Sequence, residues 1–315
     1  MATSAASYEF DEPINALLSR VEALCLMPRT PARQHELDGL RARVRQLRQE
    51  IYSNLTPWQR VLVARHPRRP RTRDHLLRLF TDFTELHGDR RFGDDPGVVA
   101  GFARFDGDAV LVVGHQRPRP PVAGGARPEG YRKALRCMKL AEKFDRPIIT
   151  FVDSAGGAPD VGSEDRGLAD AIAHNLREMT MLEVPVVVVV VGEGSGGSAL
   201  ALAVGDYILM LEYAVYSVAP VESGAVMLWG DAARTTDAAD ALKLTASDLV
   251  RLGVIDEVVP EPLGGAHADP IGATRLLAQP LRSTLDRLTS MSSTTRVNER
   301  YARLRRLGLA GIDGA

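Results

Sequence analysis

The stretch PVVVVVVGEGSGGSALALAVGD, residues 185–206, limits the possible folds more than any other part of the chain. The valines from Val186 to Val191 offer no polar face, so a strand there must be covered on both sides. Strands of that kind belong to parallel sheets with helices on each face. The run ends in Gly192–Ser198, where only Glu193 carries a sizeable side chain, and an Ala/Leu-rich helical pattern follows. Two purposes suit so bare a strand-to-helix turn. One is tight packing. The other is access to the backbone. A helix that starts in glycine presents free N–H groups and the positive end of its dipole, and without a Cβ an oxygen can approach closely.

A second turn has the same character. DSAGGAPDVGSEDRG (153–167) follows the apolar strand pattern RPIITFVDS. From about residue 97, strand and helix patterns alternate. GVVAGFARF and DAVLVVGHQ flank Asp106-Gly107, a hairpin signal. PEGYRKALRCMKLAEKF (128–144) reads as an amphipathic helix opening on Pro128, and SEDRGLADAIAHNLREMTML as a helix with Ser163 as its N-cap. YILMLEYAVYSV gives two short strands around Glu212. Close alternation implies right-handed crossovers and parallel pairing. Both glycine turns then lie at the carboxyl ends of strands, where α/β proteins bind ligands. Backbone N–H groups in such a place can form an oxyanion hole.

Before this region, Ile14, Leu17, Val21 and Leu24 form one helical stripe, and Leu40, Val44, Leu47 and Ile51 another. MPRTP between them is a turn signal, so an antiparallel helical hairpin is expected. From about residue 270 the pattern is helical and polar, and it ends in a Gly-rich tail expected to be disordered. The expected division is 1–95 for hairpin and connector, 96–262 for the α/β core, and 263–315 for C-terminal helices and tail.

Composition excludes several classes. A chain of 315 residues with 45% hydrophobic content can bury one sizeable core with appendages, or form two small domains. A net charge of -1 gives no global field for nucleic acid or membrane. RVLVARHPRRPRTRDHLLR (60–78) is locally basic, either a solvated connector or a docking surface for an acidic partner or phosphate. Cys25 and Cys137 offer neither a CxxC pair nor zinc-ligand spacing, so no disulfide framework and no metal site is expected in this chain. Both read as reduced thiols of a cytoplasmic protein. MATSAASYEFDEP lacks the basic and apolar regions of a signal peptide, and the valine run is too short to span a bilayer.

Other glycine motifs fit poorly. No Lys follows GEGSGGSA as a phosphate-binding P-loop requires, and GSGGSA does not match the dinucleotide fingerprint. A nucleophile elbow is a further reading, with Ser195 as nucleophile, His267 as base and Asp256 as the third member, in the right chain order. Centred on Ser195, however, the first glycine of that motif is Glu193.

Longer strings resemble one family. WQRVLVARHPRRPRT, FTELHGDRRFGDDPGVVAGFARFDG, VVGHQ, PEGYRKALRCMKLAEKFDRPIITFVD, DRGLADAIAHNLREM, GEGSGGSAL, YSVAPVESGAVMLW and IDEVVPEPLGGAH are similar to the alpha subunits of bacterial acetyl-coenzyme A carboxylase carboxyltransferase, over roughly residues 10–305. The resemblance implies a crotonase-like ββα spiral carrying the N-terminal hairpin and C-terminal helices. It implies carboxyl transfer from carboxybiotin on a biotin carboxyl carrier protein to an acyl-CoA. It also implies an α2β2 assembly whose beta-type subunit brings the zinc ribbon. Two oxyanion holes are needed, and the alpha subunit supplies the biotin side. Carried onto this chain, the donors are the backbone N–H groups at Gly197, Ser198 and Ala199. Gly156, Gly157, Pro159, Val161 and Gly196 shape the biotin-binding wall.

The chain departs from the family pattern in places. At Asp153-Ser154-Ala155-Gly156-Gly157-Ala158-Pro159-Asp160 a proline and a tyrosine are missing, and Asp160 replaces a glycine. A carboxylate there is expected to repel an anionic ligand. Ser198 also replaces a glycine. RPRPPVAGGAR (117–127) is shorter than the basic family loop. These departures leave three readings open: a specialised carboxyltransferase, a decarboxylase using the same enolate chemistry, and a non-catalytic partner subunit.

Overall fold

The computed structural model describes residues 8–118 and 125–308. Its centre is one sheet of eight strands: β1 (Thr81–Glu85), β2 (Val98–Phe105), β3 (Asp108–His115), β4 (Ile148–Ser154), β5 (Val186–Ser195), β6 (Tyr207–Leu211), β7 (Val215–Ser217) and β8 (Glu257–Val259). The order is β1-β2-β3-β4-β5-β6-β8, and β7 pairs with β5. β1, β2 and β3 are antiparallel, and every later pairing is parallel. Asp106 and Gly107, at φ 48° and 94°, make the left-handed turn that a two-residue hairpin needs. Every residue of β4 and β5 is buried, as the unbroken valine run requires.

Helix Pro128–Lys143 packs across β2 and β3 and against helix Leu168–Met181. The hairpin Glu12–Cys25 and Pro31–Tyr52 forms as expected, and Ile14, Val44 and Tyr52 join Val63 and Tyr213 in a separate apolar cluster. Helices Pro270–Thr289 and Ser293–Arg306 close the chain, while the Gly-rich tail lies outside the described residues. β1 pairs with β2, and Leu277, Leu281 and Leu285 share the core of the sheet.

Two local expectations are corrected. Ser163 is not an N-cap. Asp160 caps a short helix, Val161–Asp165, by accepting from the Ser163 N–H at 2.9 Å, and the long helix starts afresh after Gly167 at φ 78°. The basic segment 60–78 is neither a solvated connector nor an open docking surface. It folds into helices Pro57–Ala64 and Thr72–Leu79, and Arg69 and Arg71 are buried. Arg69 forms a two-pronged pair with the equally buried Glu261 at 2.9 and 2.5 Å and donates to the Val191 carbonyl at 2.8 Å. Arg71 donates to the carbonyls of Arg117 and Pro118.

Candidate functional site

The two glycine turns leave the carboxyl ends of neighbouring parallel strands. Ser154 at the end of β4 pairs with Gly194 in β5. β5 changes partner along its length: Val187–Val190 pair with β6, and Glu193–Ser195 pair with β7. The sheet therefore forks where β5 hands over to the single-turn helix Gly196–Leu200. Gly196 sits at φ 64°, a left-handed conformation that explains glycine there.

Which N–H groups are free follows from where that helix starts. Ser195 is its N-cap, with no side-chain capping bond. An N-cap carbonyl accepts the first intrahelical bond, which comes from the fourth helical residue, Ala199. The N–H groups left without an intrahelical partner are those of Gly196, Gly197 and Ser198. This set overlaps the one expected from the sequence, Gly197 to Ala199, at Gly197 and Ser198. Gly197 is exposed, whereas Ser198 and Ala199 are buried.

The first turn packs against the second. The Ser198 hydroxyl lies 3.3 Å from the Ser154 hydroxyl, which donates to the Gly156 carbonyl at 2.9 Å. Gly156 has φ 155°, and a Cβ placed on it meets nothing within 4 Å. Ala126 bridges to Gly157, so the end of segment 117–127 lies along this turn, while residues 119–124 fall outside the described residues. Pro159 and Val161 are exposed at the rim. Asp160 is exposed too, but its carboxylate is engaged in capping. Hydrogen bonds from the Ser163 hydroxyl and N–H hold its pKa below the usual range, which keeps the carboxylate charged.

Two buried carboxylates next to the turns are paired with arginines. Glu193 is buried and forms a two-pronged bond with Arg65 at 2.7 Å on each prong. Arg65 also binds Glu222 at the start of helix Val221–Trp229. Asp153 is buried and paired with Arg117 at 2.9 Å. Burial pushes its pKa up and Arg117 offsets part of that. Asp153 Oδ1 would lie 2.1 Å from a Cβ on Gly192, so only glycine fits at that position of β5. None of Arg65, Arg69 and Arg117 was assigned a role from the sequence. The run of arginines was visible, but the partners lie far along the chain.

The nucleophile-elbow residues do not come together. Ser195 is buried on β5 opposite Ser217. His267 stacks on His66 with ring centroids 4.0 Å apart and meets the Tyr52 hydroxyl at 3.3 Å. Asp256 accepts from the Ile208 N–H at 2.7 Å and pairs with Arg303. Among the described residues no group of three or more His, Cys, Asp or Glu side chains could hold a metal ion, and no helix is long and apolar enough to cross a membrane.

Solved structures define the class of fold. Transcarboxylase 12S superposes with a TM-score of 0.56 at 22% identity, covering 70% of this chain and 42% of that one. A Pseudomonas malonate decarboxylase hetero-tetramer in complex with coenzyme A gives 0.56 at 15%, covering 71% and 91%. The beta subunit of P. aeruginosa geranyl-CoA carboxylase gives 0.53 at 19%, covering 73% and 44%. The architecture is the crotonase-like fold of carboxyltransferases. The family model for acetyl co-enzyme A carboxylase carboxyltransferase-like proteins matches residues 7–308. Acetyl-coenzyme A carboxylase carboxyl transferase subunit alpha of Geobacter sulfurreducens is 50% identical over 84% of this chain and 85% of its own length. The protein of the same name from Geobacillus kaustophilus is 47% identical over 96% of each. The chain belongs to the acetyl-CoA carboxylase carboxyltransferase family.

Proposed function

We propose that this chain is the alpha-type subunit of a biotin-dependent carboxyltransferase and holds the biotin-side half of the active site, with acetyl-CoA as acceptor. The observation that carries this reading is the single-turn helix at the fork of the sheet, whose N–H groups at Gly196, Gly197 and Ser198 have no intrahelical partner and whose Gly197 is exposed. A Cβ on Gly197 would meet only Ile172 Cγ2, at 3.5 Å, so a flat ring can approach the backbone there. The residues fit the group. When bound, carboxybiotin supplies the carboxyl group and leaves negative charge on its ureido oxygen.

The work of this chain is electrostatic and geometric. The three N–H groups, with the dipole of their peptide units, stabilise negative charge at the point where it develops. Glu193 is paired with Arg65, which it shares with Glu222, and Asp153 is paired with Arg117, so both buried carboxylates are held by guanidinium groups. Gly156 keeps the facing wall free of side chain. No side-chain base is assigned here. The thioester half belongs to a beta-type subunit with a zinc ribbon, the carboxyl group arrives on a biotin carboxyl carrier protein, and the assembly is α2β2 in the cytoplasm.

The test is reconstitution. The chain alone transfers nothing. With a beta-type partner and carboxylated carrier protein, labelled carboxyl appears in malonyl-CoA. Release of CO2 without transfer would assign a decarboxylase instead, and an assembled complex with no turnover would make the chain a non-catalytic partner.

A further inference from the structure

The helix Gly196–Leu200 is a single turn of five residues. Helix nucleation is unfavourable, and so short a segment does not hold its shape unaided. Its carbonyl end is nevertheless fully bonded. The backbone supplies three of the bonds, Ala201 N–H to Gly197 O at 2.9 Å, Leu202 N–H to Ala199 O at 3.2 Å and Ala203 N–H to Leu200 O at 2.9 Å. Buried side chains from three separate elements supply the others. His115 at the end of β3 meets the Ser198 carbonyl through Nε2 at 3.2 Å. Asn175, on helix Leu168–Met181, donates to the Ala201 carbonyl at 3.4 Å. Thr150 on β4 donates through its hydroxyl to the Leu202 carbonyl at 2.7 Å. Thr150 and Asn175 are fully buried and His115 is 1% exposed. A carbonyl only accepts, so the His115 ring carries its proton on Nε2.

We propose that His115, Asn175 and Thr150 form a positioning clamp that fixes this helical turn and so aims the N–H groups of Gly196, Gly197 and Ser198. The inference rests on the proposed function, which makes those N–H groups the working part. The physical reason is preorganisation. An oxyanion hole lowers a barrier only if its dipoles already point at the developing charge. The donors stand on a turn too short to orient itself, so their direction is inherited from whatever holds the other end. The three clamp residues hold that end from two strands and a helix of the rigid core. None of them needs to touch the ligand.

The test uses the reconstituted complex with partner and carboxylated carrier. Thr150→Val keeps the side-chain shape and removes the donor. His115→Leu removes the ring donor, and His115→Gln restores an N–H close to the position of Nε2. Gly197→Val serves as the reference for the donor turn itself. Thr150→Val and His115→Leu are expected to lower kcat by about 10-fold or more, the scale of misplacing a reacting group by a fraction of an ångström, while KM for acetyl-CoA stays unchanged. His115→Gln is expected to recover most of the loss. If His115→Leu does not fold, the near-isosteric Thr150→Val carries the test alone. The clamp is overturned if the folded, assembled variants keep the parental kcat while Gly197→Val has lost it. It is equally overturned if kcat and acetyl-CoA affinity decline together and His115→Gln rescues neither. Should Gly197→Val itself stay active, the proposed function fails and the clamp with it.

Discussion

Gly197→Val tests the backbone reading most directly. Gly197 is the second residue of the single-turn helix, it is exposed, and its φ lies outside the left-handed region. A Cβ there makes one ordinary contact, with Ile172 Cγ2 at 3.5 Å. The fold therefore has room for a side chain. In an exposed helical position valine is favoured over glycine by a few tenths of a kcal/mol, so stability is expected to hold. The chemistry has no such room. The two methyl groups of valine stand over the N–H groups that an incoming oxygen must reach. Losing one oxyanion donor costs about 100- to 1000-fold in kcat, or about 2.7–4 kcal/mol. Blocking access to the set is expected to cost at least the lower figure. The assay is transfer of labelled carboxyl from carboxylated carrier to acetyl-CoA by the reconstituted complex, with thermal melting and light scattering on the same samples. A kcat reduced about 100-fold, with melting temperature and assembly unchanged, is the expected result. A folded, assembled and fully active Gly197→Val protein would refute the reasoning.

Ser195→Ala is expected to leave turnover intact, and serine-directed inhibitors to leave position 195 unlabelled, because the buried Ser195 faces neither His267 nor Asp256. Arg69→Met strands Glu261 in the interior and is expected to cost about 3–5 kcal/mol in urea unfolding, with Arg69→Met/Glu261→Gln recovering part of it. His75 and His115 are buried, and burial lowers their pKa from 6.5 to about 3 and about 4. On acidification the unfolded chain takes up these protons before the folded one, so this stability is complete above about pH 6.5 and is lost as pH falls toward 4. The urea midpoint should decline over that window, and His75→Gln should flatten the decline. Light scattering of the chain with its beta-type partner should give an α2β2 mass, and a monomer that ignores every such partner would count against the assembly.

Much of the architecture was legible because it rests on short-range signals. The valine run could only be a strand covered on both faces. Asp106-Gly107 could only turn left-handed. The apolar stripes of 12–51 set two helices. Glycines at the ends of two successive strands placed the candidate site, since parallel strands bring their carboxyl ends to one edge of the sheet. Other features depended on residues far apart in the chain. Glu193 stands in the middle of the glycine turn, and nothing local says that Arg65 takes up its charge. Arg69 looks solvent-bound until Glu261 is folded against it. The Ser163 cap failed because Asp160, three residues earlier, caps a separate short turn that takes in Ser163 itself. The short helix opens at Gly196 because β5 stays in the sheet through Ser195, where β7 pairs with it. Periodicity and turn chemistry are local and are written in the chain. The pairing of buried charges and the residue at which a strand becomes a helix are decided by partners that only the folded chain brings within reach.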